Sequence, residues 1–206
     1  MAANSNTDDS YRTLEARSEA IYKEKGSKFL AYAYPVENEE AIREILESLR
    51  KSYYDATHCC YAWRLGPKGE QFRANDDGEP SGTAGKPILG QLLSFDITNC
   101  LVAVVRYFGG TKLGVSGLIA AYRESAREAI EAGTITERTV DKTINIYFPY
   151  VAMNDVMRIV KEEQPTIVGQ TFDNLCAMTL AIRASRADGL VGKLRKAEGV
   201  TVEEDE

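Results

Sequence analysis

The last third of the chain constrains the fold most, because its apolar period changes in a fixed order. Val140, Lys142, Ile144, Ile146 and Phe148 alternate with polar residues, the period of two that marks a strand, and Pro149 closes the run. Val156, Ile159 and Val160 then fall on one face of a helix that ends before Pro165. Thr166 to Phe172 reads as extended, Asp173-Asn174 as a turn, and Leu175 to Ala184 as a strand with Cys176, Met178, Leu180 and Ile182 on one side. A short helix over Ala187 to Ala197 and a last strand at Val200 to Val202 complete the order strand, helix, strand, strand, helix, strand. That order is the ferredoxin-like split pattern, in which helices cover one face of an antiparallel four-stranded sheet. A boundary is placed at Arg138, giving a domain over 11–138 and a second over 139–206. Residues 1–10, polar and without an apolar h-region, read as a flexible tail.

The first domain is less regular. Strands are expected at Tyr11 to Leu14, Ser18 to Lys23 and Lys28 to Tyr34, with Gly26-Ser27 turning the last two into a hairpin. Asn38 followed by two glutamates starts a helix, since Asn accepts the first free N–H groups and the acids complement the dipole. Thr57 to Leu65 and Gln71 to Ala74 form a strand pair, Pro87 to Leu93 a short helix. Cys100 to Val105, apolar on both faces, reads as a central strand that leads through glycines 109, 110, 114 and 117 into a long amphipathic helix closed by Gly133.

Composition excludes several classes. The 206 residues are 44% hydrophobic and 27% charged, an ordinary globular balance, and no apolar run approaches the roughly 20 residues of a membrane span. The four cysteines lack C-x-x-C spacing and two are adjacent, so reduced thiols and a cytoplasmic location are expected. A net charge of -6 gives no global attraction to nucleic acid, although a local basic patch survives within such a total.

Four segments carry more polar or glycine detail than a core needs, of which Gly26-Ser27-Lys28-Phe29 by itself reads as a hairpin turn and nothing else. In the run from Thr57 to Arg64, alternation puts His58, Cys60, Ala62 and Arg64 on one face. His58 is the only histidine, which argues against a metal centre, and no cofactor is expected. Asp76, Asp77 and Glu79 lie within four residues beside Gly78 and Pro80, a pattern that serves a general base or a tight turn, and Ser81 or Thr83 can cap the helix that follows. Gly85-Lys86 is not a phosphate-binding P-loop, because Pro80 and Pro87 occupy required positions. The turn from Arg106 to Gly117 can present N–H groups to a phosphate or other anion, or can simply let the helix pack closely.

Read in order, His58 with Cys60, Asp76-Asp77-Gly78-Glu79-Pro80, Thr83-Ala84-Gly85-Lys86-Pro87, Arg106-Tyr107-Phe108-Gly109-Gly110, Lys112-Leu113-Gly114 and Gly117-Leu118 resemble the YigZ/IMPACT family, and Lys28-Phe29 fits the same pattern upstream. The resemblance implies an α+β protein: an N-terminal IMPACT domain similar to domain 2 of ribosomal protein S5, then a ferredoxin-like domain, both similar to the last domains of elongation factor G. It implies a regulator of translation. Eukaryotic members carry an additional RWD domain that the ten residues ahead of Tyr11 cannot hold, so its partner is not carried over. The expected activity is binding of RNA, the ribosome or a translation factor through Lys28, Arg64, Arg73, Lys86, Arg106 and Lys112, the rings of Tyr107 and Phe108, and the backbone of Gly109, Gly110, Gly114 and Gly117. One alternative is a small enzyme acting on an anionic substrate, with His58 and Asp76 or Asp77 as acid and base and Glu79 as a further candidate. A second is a purely protein-binding module.

Overall fold

The computed structural model describes residues 9–173 and 175–204. Two compact units emerge: Tyr11–Arg138, and residues 9–10 together with 139–204.

The first unit is built on a five-stranded antiparallel sheet. Its strands are β2 (Ser18–Glu24), β3 (Ser27–Pro35), β4 (His58–Leu65), β5 (Gln71–Asn75) and β6 (Cys100–Tyr107), in the spatial order β2-β3-β6-β4-β5. β6 sits in the middle because every residue from Cys100 to Arg106 is buried, on both faces. On one face Phe29, Cys60, Ala62, Val102 and Val104 pack against α2 (Gly85–Ser94) and α3 (Gly114–Glu131). On the other, Tyr32, Tyr61, Trp63, Leu101 and Val105 pack against Ile42, Leu46 and Leu49 of α1 (Glu39–Ser52). Asn38 caps α1 as its sequence requires, its Oδ1 accepting from Ala41 N at 2.9 Å. Two short strands, β1 (Ser10–Leu14) and β7 (Ile135–Thr139), pair apart from this sheet. β7 has no sequence signal, since Thr136 to Thr139 alternate nothing apolar and the strand exists only because β1 offers it an edge.

The second unit follows the expected order: β8 (Asp141–Pro149), a single 3-10 turn and α4 (Met153–Glu163), β9 (Thr166–Phe172), β10 (Leu175–Arg183), α5 (Ala184–Leu194) and β11 (Thr201–Glu204). The four strands are antiparallel in the order β11-β8-β10-β9. Ile144, Ile146 and Phe148 of β8 with Met178, Leu180 and Ile182 of β10 face Val156, Ile159, Leu190 and Leu194 of the helices. The chain is thus a mixed α+β protein.

The tail expected over residues 1–10 falls chiefly on 1–8, which lie outside the described residues. For the remaining two it fails: Ser10 opens β1, and Asp9 is buried, its Oδ2 accepting from Arg183 Nε and Ser185 N at 2.9 Å each. All four cysteines are free and buried. No helix of the described residues is long and apolar enough to cross a membrane.

Candidate functional site

Sheet register assembles the site. Arg106 on β6 lies between Phe29 on β3 and His58 on β4, so the three side chains form one row on the face that α3 covers. Alternation then puts Cys60 beside them, and Tyr122 of α3 descends onto it, Cys60 Sγ reaching Tyr122 Oη at 3.3 Å.

The loop after β5 closes the row. Asp77 and Gly78 both adopt positive φ, 41° and 87°, a conformation glycine takes freely and aspartate tolerates. The turn drives Glu79 inward until its side chain is only 4% exposed. There Glu79 Oε1 accepts from Arg106 Nη1 at 2.5 Å and from Tyr122 Oη at 2.8 Å. His58 Nδ1 meets the carbonyl oxygen of Asp77 at 2.7 Å, while its Nε2 stands 3.9 Å from Glu79 Oε2, outside hydrogen-bonding reach. The imidazole keeps 20% of its side-chain surface open.

Asp76 and Asp77 do not take the acid/base places that the sequence allows them. The Asp76 carboxylate accepts from the N–H groups of Gly82, Ala84 and Gly85, so it caps α2 from a distance, and neither Ser81 nor Thr83 does. Thr83 instead donates to the carbonyl oxygen of Pro80. Burial alone would raise the Asp76 pKa, but those three N–H donors and the nearby Lys86 charge bring it below the ordinary value. The Asp77 carboxylate accepts from Cys59 N at 2.7 Å and pairs with Arg50. Burial pushes the Cys59 thiol up to about 11 and raises Cys60 further, so neither is a thiolate at neutral pH.

The glycine loop joins the site at its first residues. Gly109 N donates to Ser27 Oγ at 3.2 Å, and the same hydroxyl is 3.5 Å from Arg106 Nη2. A Cβ on Gly109 would lie 1.9 Å from the carbonyl carbon of Gly26, so only glycine permits this contact between the β2-β3 turn and the loop. The Arg106 guanidinium lies over the rings of Phe29 at 5.5 Å and Phe108 at 5.7 Å, and Phe108 remains 49% exposed. Further along, Gly110, Lys112 and Gly114 are exposed and Gly117 is half-buried in α3. Among the described residues no hydrogen bond or ion pair links any of these four to His58 or Glu79.

Two expected surface cations prove to be internal. Arg64 is buried, and its guanidinium is spent on the carbonyl oxygens of Ile97 and Lys68. Arg106, also buried, is committed to Glu79, because the loop turn brings that carboxylate onto it. Tyr107 is half-buried and donates to Asp55. Lys28, Arg73 and Lys86 are exposed as expected. Sequence reading passed over Lys23 and Lys25. They flank the Gly26 turn and are exposed, and Gly26 itself meets Gly109 at the head of the glycine loop; the cluster of Lys23, Lys25 and Lys28 was the available signal. A groove of about 320 Å³ lined by Tyr11, Thr13, Asn38, Asn99 and others holds none of the candidate binding or catalytic residues. Among the described residues no group of three metal-ligating side chains is placed to hold an ion.

Fold and site together define an α+β protein whose first unit buries a carboxylate-guanidinium pair under a half-open histidine. The Impact N-terminal domain matches residues 25–130, which hold four of the five sheet strands and every residue of the site but Lys23. The chain belongs to the IMPACT family. IMPACT family member YvyE of Bacillus subtilis is 36% identical over 156 residues, 75% of this chain and 71% of its own length. IMPACT family member YigZ of Escherichia coli is 30% identical over 172 residues, 82% and 84% of the two chains. The crystal structure of a hypothetical protein superposes with a TM-score of 0.73 at 27% identity, covering 96% of this chain and 98% of that one.

Proposed function

We propose that this chain regulates translation by binding RNA, in the ribosome or free, through the rim formed by the β2-β3 turn and the glycine loop. One observation carries the reading. The Gly26 and Gly109 contact brings Lys23, Lys25 and Lys28 to the head of the loop that bears Phe108 and Lys112. All four lysines are exposed, and none has an ion-pair partner among the described residues. No acidic residue occurs between Phe108 and Tyr122. In a chain of net charge -6 this gathers exposed cations and an exposed aromatic ring at one end of the sheet, with Lys23 and Lys28 opposite Tyr107 and Phe108 over Arg106, groups suited to phosphate contact and base stacking.

Membership of a family described as translation regulators supports the same reading. So does the strand order of the second unit, which we take as a ferredoxin-like domain following a ribosomal protein S5 domain 2-like one, a pair similar to the last domains of elongation factor G. A cytoplasmic site of action follows from that role.

Cosedimentation with ribosomes tests it. Binding is expected at about 50 mM salt and to fall steeply toward about 200 mM, as counterions return to the phosphates. Lys25→Ala and Lys112→Ala should each weaken it and lower the salt slope by about one. Absence of binding at low salt, or binding indifferent to both changes, overturns the proposal.

A further inference from the structure

Sheet register sets two exposed lysines against each other. Lys25 and Gly26 take positive φ, 45° and 80°, the two-residue turn of a tight hairpin, so Glu24 and Ser27 are the hydrogen-bonded pair that closes it. Lys23 and Lys28 are the next pair, of the non-hydrogen-bonded kind, which brings their Cβ atoms to about 5 Å. Like charges directly opposite one another are unfavourable. Tyr107 stands across from Lys28 on β6, which makes a row of Lys23, Lys28 and Tyr107 on the face that α1 covers further along.

The strands do not neutralise the pair. Glu19 is the one carboxylate that β2, β3 and β6 turn to this face, and it pairs with Arg17 at 2.6 Å. At the far end of the row Asp55 accepts from Tyr107 Oη at 2.8 Å. The partner that two opposed ammonium groups call for is an anion from outside, and the rings beside them indicate its source. Tyr107 is fixed by Asp55, and Tyr54, next to Asp55 in the chain, is 86% exposed. An acidic protein segment does not call for such rings, whereas an unpaired nucleotide brings a phosphate and an open base together. We propose that Lys23 and Lys28 clasp a single phosphate of an unpaired RNA strand, with an adjacent base stacked on Tyr54. The inference rests on the RNA-binding reading and specifies the form of RNA and the face that takes it. It also sets stability against binding, because the repulsion that the phosphate relieves is present in the free protein.

Fluorescence anisotropy of the full chain with labelled oligo(U), and with an RNA duplex, tests this across a salt series. Lys28→Glu, which sets opposite charges in the row, should raise the thermal midpoint at low salt and lose most of the oligo(U) binding. The double change Lys23→Gln with Lys28→Gln should lower the salt slope by about 0.7, the value for one phosphate of a single strand. Tyr54→Ala should weaken oligo(U) by about tenfold, the worth of one stacked base, and leave duplex binding unchanged. A slope lowered by about 1.4 means two separate phosphates and overturns the shared seat. A thermal midpoint lowered by Lys28→Glu overturns it as well, since the lysines would then not oppose each other. Binding that survives Lys28→Glu and Tyr54→Ala but falls in Lys112→Ala overturns the inference and keeps the RNA reading, whereas failure to bind ribosomes or either RNA removes both. Polyglutamate displacing oligo(U) where the duplex does not bind would assign the lysines to an acidic protein segment and overturn it too.

Discussion

Arg106 and Glu79 illustrate how burial decides a residue's role. An arginine on a strand that leads into a glycine loop has the sequence credentials of a phosphate contact, yet here it is interior and neutralises a buried carboxylate. Removing one member of such a pair leaves an uncompensated charge, so Arg106→Ala is expected to destabilise the first unit by about 3–5 kcal/mol in urea unfolding, against less than about 0.5 kcal/mol for Lys112→Ala. RNA binding by a folded Arg106→Ala protein that is lost without loss of stability would contradict this assignment. Asp76 supplies a pH test. A carboxyl held below its ordinary pKa stabilises the fold at pH values above the unfolded-chain value of about 3.9 and loses that contribution as pH falls through its own lower value. The stability gap between wild type and Asp76→Asn should therefore be flat from about pH 5 to 8 and narrow below about pH 4. A gap that widens in acid would mean that the loop does not depend on the ionised form.

At the scale of elements, the two helices at the ends of the domains differ in how well their sequences suit them. α3 is long, carries a continuous apolar stripe and includes Gly117 where a Cβ would press on Leu113 at 3.0 Å. α5 is short and contains Gly189 and Gly192, exposed positions at which a Cβ meets nothing within 4 Å. Glycine in a helix interior costs about 0.5–1 kcal/mol relative to alanine, so Gly189→Ala and Gly192→Ala should each raise the thermal midpoint of the second unit. Gly109→Ala should do the reverse in the first unit, since its Cβ overlaps backbone that cannot move aside. Thermal unfolding followed by circular dichroism separates these outcomes, and a neutral Gly109→Ala would show that the loop and the β2-β3 turn are not in contact. α5 also lacks a side-chain cap of its own, and Asp9 provides one from the other end of the chain by accepting from Ser185 N.

For the whole molecule, that cap produces the most specific expectation. Deleting residues 1–10 should weaken the second unit, by about 1–2 kcal/mol for the lost cap alone, and cost the Tyr11–Arg138 unit only the first residue of β1. Amide spectra of the truncated chain would locate the change, and an effect confined to the first unit would refute it. The sequence by itself determined the elements whose information is local: the strands of the second unit chiefly from their period of two, α1 from Asn38 and its glutamates, and β6 from an apolar run that only a central strand can bury. Tertiary structure decided everything that depends on a partner distant in the chain. It turned Asp76 and Asp77 from candidate acids into acceptors for backbone N–H groups, because the free helix start and Cys59 N lie within their reach. It placed Glu79 rather than either aspartate before His58, since two consecutive positive φ angles redirect the loop. It took Arg64 and Arg106 off the surface and added Lys23 and Lys25 to it. Periodicity reports which face of an element is apolar, but which groups satisfy one another across 27 or 174 residues is set by sheet register and by the cost of burying a polar group unpaired, and neither is written in any local stretch of sequence.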